Sequence, residues 1–232
     1  MKVFYFFKRS GDTSREEFED TWTSADSPSI SGLNAYVRSV QRKASDGEAR
    51  RSTEWAFGSD FPFDGVAELW FDHWAAFQEE KGSVDAYFES ALNGVADSDG
   101  ATWFAANENV VVDGPLSKET PSVKALFFPS RKAGTSVEQF GEYWRTKHAD
   151  IVPDTPKLMR YVQSHVAPEM YEGGKQPFSD GVAELWWRSE DDVLEGLNSY
   201  QFQEQQPEDA SHFVNPDILV GFLTDEERVI WP

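Results

Sequence analysis

Asp64-Gly-Val-Ala-Glu-Leu-Trp70 recurs, residue for residue, as Asp180-Gly-Val-Ala-Glu-Leu-Trp186, an offset of 116 (180 − 64) in a chain of 232. Seven identical residues at half the chain length mark an internal duplication. Working outward, Glu17-Phe-Glu-Asp-Thr-Trp22 matches Gln139-Phe-Gly-Glu-Tyr-Trp144, and Ala35-Tyr-Val-Arg-Ser39 matches Arg160-Tyr-Val-Gln-Ser164. The linker is the polar, Pro- and Gly-containing run 113–121. The repeat predicts two domains, 1–114 and 121–232, each large enough for a core of its own.

Each half reads as strand, helix, strand, strand, helix, strand. Strands are expected at 2–8, 35–41, 65–71 and 108–112, and at 123–129, 160–166, 181–188 and 228–231. Thr13-Ser-Arg-Glu16 and Thr135-Ser-Val-Glu138 are capping-box patterns. They open helices that carry Phe18 and Trp22, or Phe140 and Trp144, at i, i+4. Second helices are expected over 72–92 and 189–200. The order βαββαβ is the ferredoxin-like unit, whose sheet carries helices on one face only. The fold class is therefore α+β: two tandem ferredoxin-like domains whose sheets pack face to face as an intrachain barrel, enclosing an aromatic-lined space. The outer sheet edges leave room for pairing into a homodimer.

Composition narrows the function. The net charge of −20 disfavours nucleic acid and anionic membranes as partners. No apolar run approaches the roughly 18 residues of a membrane span, and the first residues lack a signal peptide's cleavage site, so a cytoplasmic protein is expected. The absence of Cys removes disulfides, thiolate metal sites and a cysteine nucleophile. Aromatic residues reach 15%, including nine Trp and 18 Phe, which suits either dense cores or a cavity for an apolar small molecule. The four histidines, His73, His148, His165 and His212, are too far apart for a local metal motif, and no phosphate loop or nucleophile elbow occurs. Neither metal nor cofactor is called for.

Tyr143-Trp-Arg-Thr-Lys-His-Ala-Asp150, Arg160-Tyr-Val-Gln-Ser-His165 and Asp180–Trp186 together resemble the EthD family of the dimeric α+β barrel superfamily, here as two tandem copies. The resemblance implies a barrel of two ferredoxin-like units. It leaves the reaction open among lyases, isomerases, cyclases, cofactor-free monooxygenases and haem enzymes. The halves differ where such a histidine would stand. Aligned through Trp22 and Trp144, His148 falls opposite Asp26 (148 − 122), and through Tyr36 and Tyr161, His165 falls opposite Val40 (165 − 125). One working site is expected, centred on the second domain and roofed by the first.

His148 follows a helix, where the dipole alone favours a histidine. Its presence in one copy only also fits a general acid or base. His165 and Tyr143 are candidate helpers, and Glu184, mid-strand among apolar residues, is a further acid/base candidate or a structural carboxylate shared with Glu68. Strand alternation groups Tyr161, Gln163 and His165 on one face, expected to look into the barrel. With Trp144, Trp186 and Arg160 they form the expected substrate wall, Arg160 pairing with Glu184 or with an anionic ligand. The loops 45–60 and 167–178 are candidates for substrate selection. The expected activity is cofactor-independent proton transfer, as lyase (dehydratase) or isomerase, on an aromatic or polyketide-like molecule. The alternatives are a non-catalytic carrier of a hydrophobic ligand and a haem- or oxygen-dependent enzyme.

Overall fold

The computed structural model describes residues 1–42, 62–97 and 102–231. Eight strands, β1 (Lys2–Phe7), β2 (Ala35–Gln41), β3 (Gly65–Trp70), β4 (Thr102–Val112), β5 (Val123–Phe128), β6 (Arg160–Val166), β7 (Gly181–Trp187) and β8 (Val220–Ile230), close into a barrel in the order β1-β3-β2-β8-β5-β7-β6-β4. The helices are α1 (Arg15–Ser24), α2 (Trp74–Ala91), α3 (Val137–Thr146), α4 (Glu190–Leu197) and α5 (Gln206–Ala210). Along this order every strand has a neighbour on either side. The segment 45–60 lies outside the described residues.

The chain forms two compact units, one built on Met1–Gln41 and Pro62–Ala106 with Glu226–Pro232, the other on Asn107–Asp225. In the first, β1 pairs antiparallel with β3 and β4, and β3 with β2. In the second, β5 pairs with β7 and β8, and β7 with β6. The registers repeat: Phe4 faces Glu68 as Leu126 faces Glu184, and Tyr36 faces Leu69 as Tyr161 faces Leu185. The last strands are far longer than expected, 11 residues each, because 102–106 and 220–224 pair with the opening strands.

Helix starts follow the sequence with a one-residue shift. Ser14 and Ser136, rather than the threonines before them, cap α1 and α3, and Gln139 completes the Ser136 box. Phe18 and Trp22 of α1, and Phe140 and Trp144 of α3, are buried. The second helices diverge. α2 is one unbroken 18-residue helix. Its counterpart is interrupted: α4 stops at Leu197, a π-helical stretch runs over Gln201–Gln205, and Pro207 stands in the first turn of α5. Proline and π-type hydrogen bonding both break a regular ladder, and single π stretches recur at functional sites.

Alternation divides the sheet faces. Tyr161, Leu185 and Trp187 pack in one cluster with Val193 and Leu197 of α4, so this is the helix side. Val162 and Trp186 cluster with Met159 on the opposite face. There each unit holds a buried ion pair. Lys124 Nζ lies 2.8 Å from Glu184 and 4.6 Å from the Trp186 ring, as Lys2 Nζ lies 2.5 Å from Glu68 and 4.4 Å from the Trp70 ring. Removing water from these charges is costly, and the short contact with hydrogen bonding offsets it.

Candidate functional site

α3 ends at Thr146 and a 3₁₀ turn, His148–Asp150, follows directly. The turn places His148 against α5. His148 Nδ1 is 2.8 Å from Asp209 Oδ2, and Tyr143 donates its hydroxyl to Asp209 Oδ1, also at 2.8 Å. The rings of His148 and Tyr143 both rest on Phe213, at 5.3 and 4.9 Å between centroids. The His148 and Asp209 side chains are 12% and 14% exposed, enough shielding to strengthen the pair against solvent.

The electrostatics set the tautomer. Burial alone would raise the Asp209 carboxyl, but the hydrogen bonds of His148 and Tyr143 and the charges of His148 and His212 outweigh it, so the group sits below the ordinary carboxylate range. An ionised carboxylate only accepts, so the proton of a neutral His148 sits on Nδ1, leaving Nε2 as the basic nitrogen. Burial, with the hydrogen bond to Asp209 and its charge, raises the Tyr143 phenol, which keeps its proton.

His148 opens onto a cavity of about 320 Å³ in the second unit. Its walls include Phe127, Trp144, Tyr161, Phe202 and Phe213, with Gln206 as a polar contribution. A mostly apolar cavity with a few polar groups is the usual form of a small-molecule site. This cavity lies between the helices and the sheet, on the other side of β7 from Glu184. The sequence reading expected a site on the opposite sheet face, whereas His148 lines this cavity on the helix side. Every residue of β6 after Arg160 is buried, so strand alternation could not tell which face holds the space.

Several expected site residues change role as a result. Trp144 and Tyr161 line the cavity, from the helix side. Gln163 stands behind the wall: its Nε2 donates to the Trp144 carbonyl at 2.8 Å and to the Tyr161 hydroxyl at 3.1 Å, and its Oε1 accepts from Asn109 Nδ2 at 2.9 Å. His165 also stands behind it, 3.3 Å from Gln163 Oε1 and 4.5 Å from the Trp144 ring centroid. Burial, with the charge of Arg145, pushes its imidazole down to about 4, so it is a neutral packing residue at ordinary pH. Glu184 and Trp186 belong to the opposite face; Lys124 and the Ser164 hydroxyl hold Glu184, where Arg160 was expected. Arg160 instead pairs with Asp113 at 2.5 Å and donates to the Gly114 carbonyl. The 167–178 segment forms a 3₁₀ element, Pro168–Gly174, and contributes no residue to the cavity wall; Tyr171 donates to Asp180.

Asp209 escaped the sequence reading. It lies 61 positions from His148, and nothing in Gln206-Pro-Glu-Asp-Ala210 distinguishes it from a solvated helix end. Comparing the halves supplies the missed signal. Val95 and Ala96 donate to the Leu92 carbonyl as Phe213 and Val214 donate to that of Ala210, an offset of 118 (210 − 92). Asp209 thus falls opposite Ala91, and Tyr143 opposite Thr21, so all three members of the network differ in the first half.

Among the described residues no group of three His, Asp or Glu side chains is placed to hold a metal, and no helix is long and apolar enough to cross a membrane.

The EthD domain model matches residues 10–92 and 132–217, and the chain belongs to the EthD family, as two tandem domains. Solved structures with the same dimeric α+β barrel include an anthrone oxidase-like protein, 7% identical with a TM-score of 0.59 over 98% of this chain and 92% of that one. A Lactobacillus acidophilus NCFM protein provisionally named a monooxygenase is 10% identical, with a TM-score of 0.56 over 100% and 99% of the two chains. At such identities the likeness concerns the fold alone. No curated protein matches the sequence.

Proposed function

We propose that the second unit is a cofactor-independent proton-transfer enzyme, a lyase or isomerase, acting on a small aromatic or polyketide-like molecule in the cavity beside His148. The observation that carries this reading is the Nδ1 hydrogen bond to Asp209, which leaves Nε2 of a shielded imidazole as the base at an apolar wall. His148 removes a proton, Asp209 stabilises the imidazolium that forms, and the aromatic walls hold the ring and exclude water. His148 then returns the proton to another carbon, or to a leaving hydroxyl in a dehydration. The acidic surface supports a small molecule, rather than nucleic acid, as ligand.

A second reading, an oxidase or oxygenase, draws support from the names of the structural neighbours. It begins with the same proton removal and diverges only when the carbanion meets oxygen. The test is hydrogen exchange in D₂O, without oxygen, across a panel of aromatic ketones and phenols. Exchange by the wild type that falls by roughly 10²–10⁴ in His148→Ala is the expected result. Exchange unchanged in that variant contradicts the assignment, and turnover that appears only with oxygen selects the oxidative reading.

A further inference from the structure

Tyr161 lies in the cavity wall and is 1% exposed. Its hydroxyl accepts two hydrogen bonds, from Trp144 Nε1 and from Gln163 Nε2, each at 3.1 Å. A phenol oxygen has two acceptor sites and one proton to give. Both acceptor sites are filled, and among the described residues nothing accepts the proton. The amide orientation behind this count is set by its surroundings. Turning Gln163 over would put Oε1 against the Trp144 carbonyl and Nε2 against the donating Asn109 amide, two repulsive contacts in place of two bonds.

The first unit solves the same position differently. Tyr36, equivalent to Tyr161 by register, shares a hydrogen bond with Tyr87, and the residue behind it is Arg38, which caps the Trp22 and Ala25 carbonyls. There the phenol is spent on structure. In the second unit two donors converge on it; their hydrogen bonds oppose, without outweighing, the effect of burial, and the proton keeps no acceptor among the described residues.

We propose that the Tyr161 hydroxyl is the donor that binds the oxygen of a carbonyl substrate and stabilises its enolate, so that the substrate class is aromatic or polyketide-like ketones with an acidic hydrogen on the neighbouring carbon. This rests on the proton-transfer reading above and names the electrophilic partner of its base. In the step, His148 Nε2 takes the α-hydrogen as a proton. The C–H pair becomes the new C=C bond, the carbonyl π pair moves to oxygen, and the Tyr161 O–H shortens its hydrogen bond to that oxygen without giving up the proton. Reprotonation by His148 at a conjugated carbon, or at a β-hydroxyl that leaves as water, completes an isomerisation or a dehydration. Burial raises the Tyr161 phenol well above its ordinary value, which suits a group that donates a hydrogen bond and stays protonated.

The test is the infrared carbonyl band of ¹³C-labelled acetophenone, 2-acetylnaphthalene and α-tetralone bound to the full-length protein. The expected result is a band shifted to lower frequency in the wild type. The shift should persist in His148→Ala and vanish in Tyr161→Phe, with affinity weakened roughly tenfold. Where Tyr161→Phe does not fold, 3-fluorotyrosine at position 161 keeps every hydrogen bond and, as a stronger acid, should enlarge the shift. A band identical in wild type and either Tyr161 variant overturns the proposal, as does failure of all three ketones to bind. A shifted band without α-hydrogen exchange contradicts the proton-transfer reading and leaves the Tyr161 assignment standing. Exchange without a shift does the reverse.

Discussion

Phe88 and Gln206 occupy the same position in the two units, four residues before Leu92 and Ala210 respectively. In the first unit Phe88 packs against Phe7, Tyr5, Tyr87 and Trp22, with centroids 4.8 to 6.0 Å apart, and with Phe7 and Tyr5 it borders a hollow of about 500 Å³ that Asp85, Glu89 and Asp97 also line. In the second, Phe7 is replaced by Pro129 and Phe88 by Gln206, whose amide turns to the Thr155 hydroxyl at 2.7 Å. Both replacements line the 320 Å³ cavity. The break of the second helix into α4, a π stretch and α5 belongs to the same change. Both copies hold a hollow: that of the first is edged by the carboxylates of Asp85, Glu89 and Asp97, and that of the second is walled mostly by apolar side chains. His148 lines the hollow of the second unit and is joined to Tyr143 through Asp209, and Asp26, Thr21 and Ala91 stand at these three positions in the first. What both copies share, the Lys–Glu pair, the Arg–Asp contact after the first strand and the Phe/Trp helix, is scaffold.

The shared scaffold should respond alike in both units, and this gives the largest expected stability effect. Lys124→Met removes the cation 2.8 Å from the buried Glu184 carboxylate and should cost about 3–5 kcal/mol, with Lys2→Met costing a similar amount, by denaturant unfolding. A large inequality between the two would break the equivalence of the two pairs.

The next effect separates the units. His165 is buried with its imidazole lowered to about 4, and the first unit has Val40 at that position. Between about pH 4 and the unfolded value near 6.5 the unfolded chain binds a proton that the folded chain refuses. This contribution to stability is fully present above pH 6.5 and is lost as the pH falls toward 4, on the order of 3 kcal/mol in all. His165→Gln should flatten the stability profile in that window; an unchanged slope would place the titration elsewhere.

The sequence carried the architecture because duplication printed its main elements twice: the Phe/Trp helices and the three matched strands per half appear where expected, and the helix caps fall one residue later, with a full capping box at Ser136 alone of the two. It also singled out His148, through its absence from the other half, and the structure sets that side chain at the cavity wall. The facing of β6 was misread because both faces of that strand are buried, and Gln163, which looked like a handle for substrate, satisfies the Trp144 carbonyl instead. The 3₁₀ turn after α3 and the π stretch decide which residues meet His148, and both depend on long-range packing that a local pattern does not encode.

The most direct measurement is a crystal structure of the protein with acetophenone bound, alongside a binding titration of wild type and Gln206→Phe. The expected result is ligand between Phe202, Tyr161 and His148, with binding weakened roughly 10-fold or more when Gln206→Phe sets a bulky ring in the cavity wall. Ligand found against Trp186 on the opposite sheet face, with undiminished binding to Gln206→Phe, would contradict it.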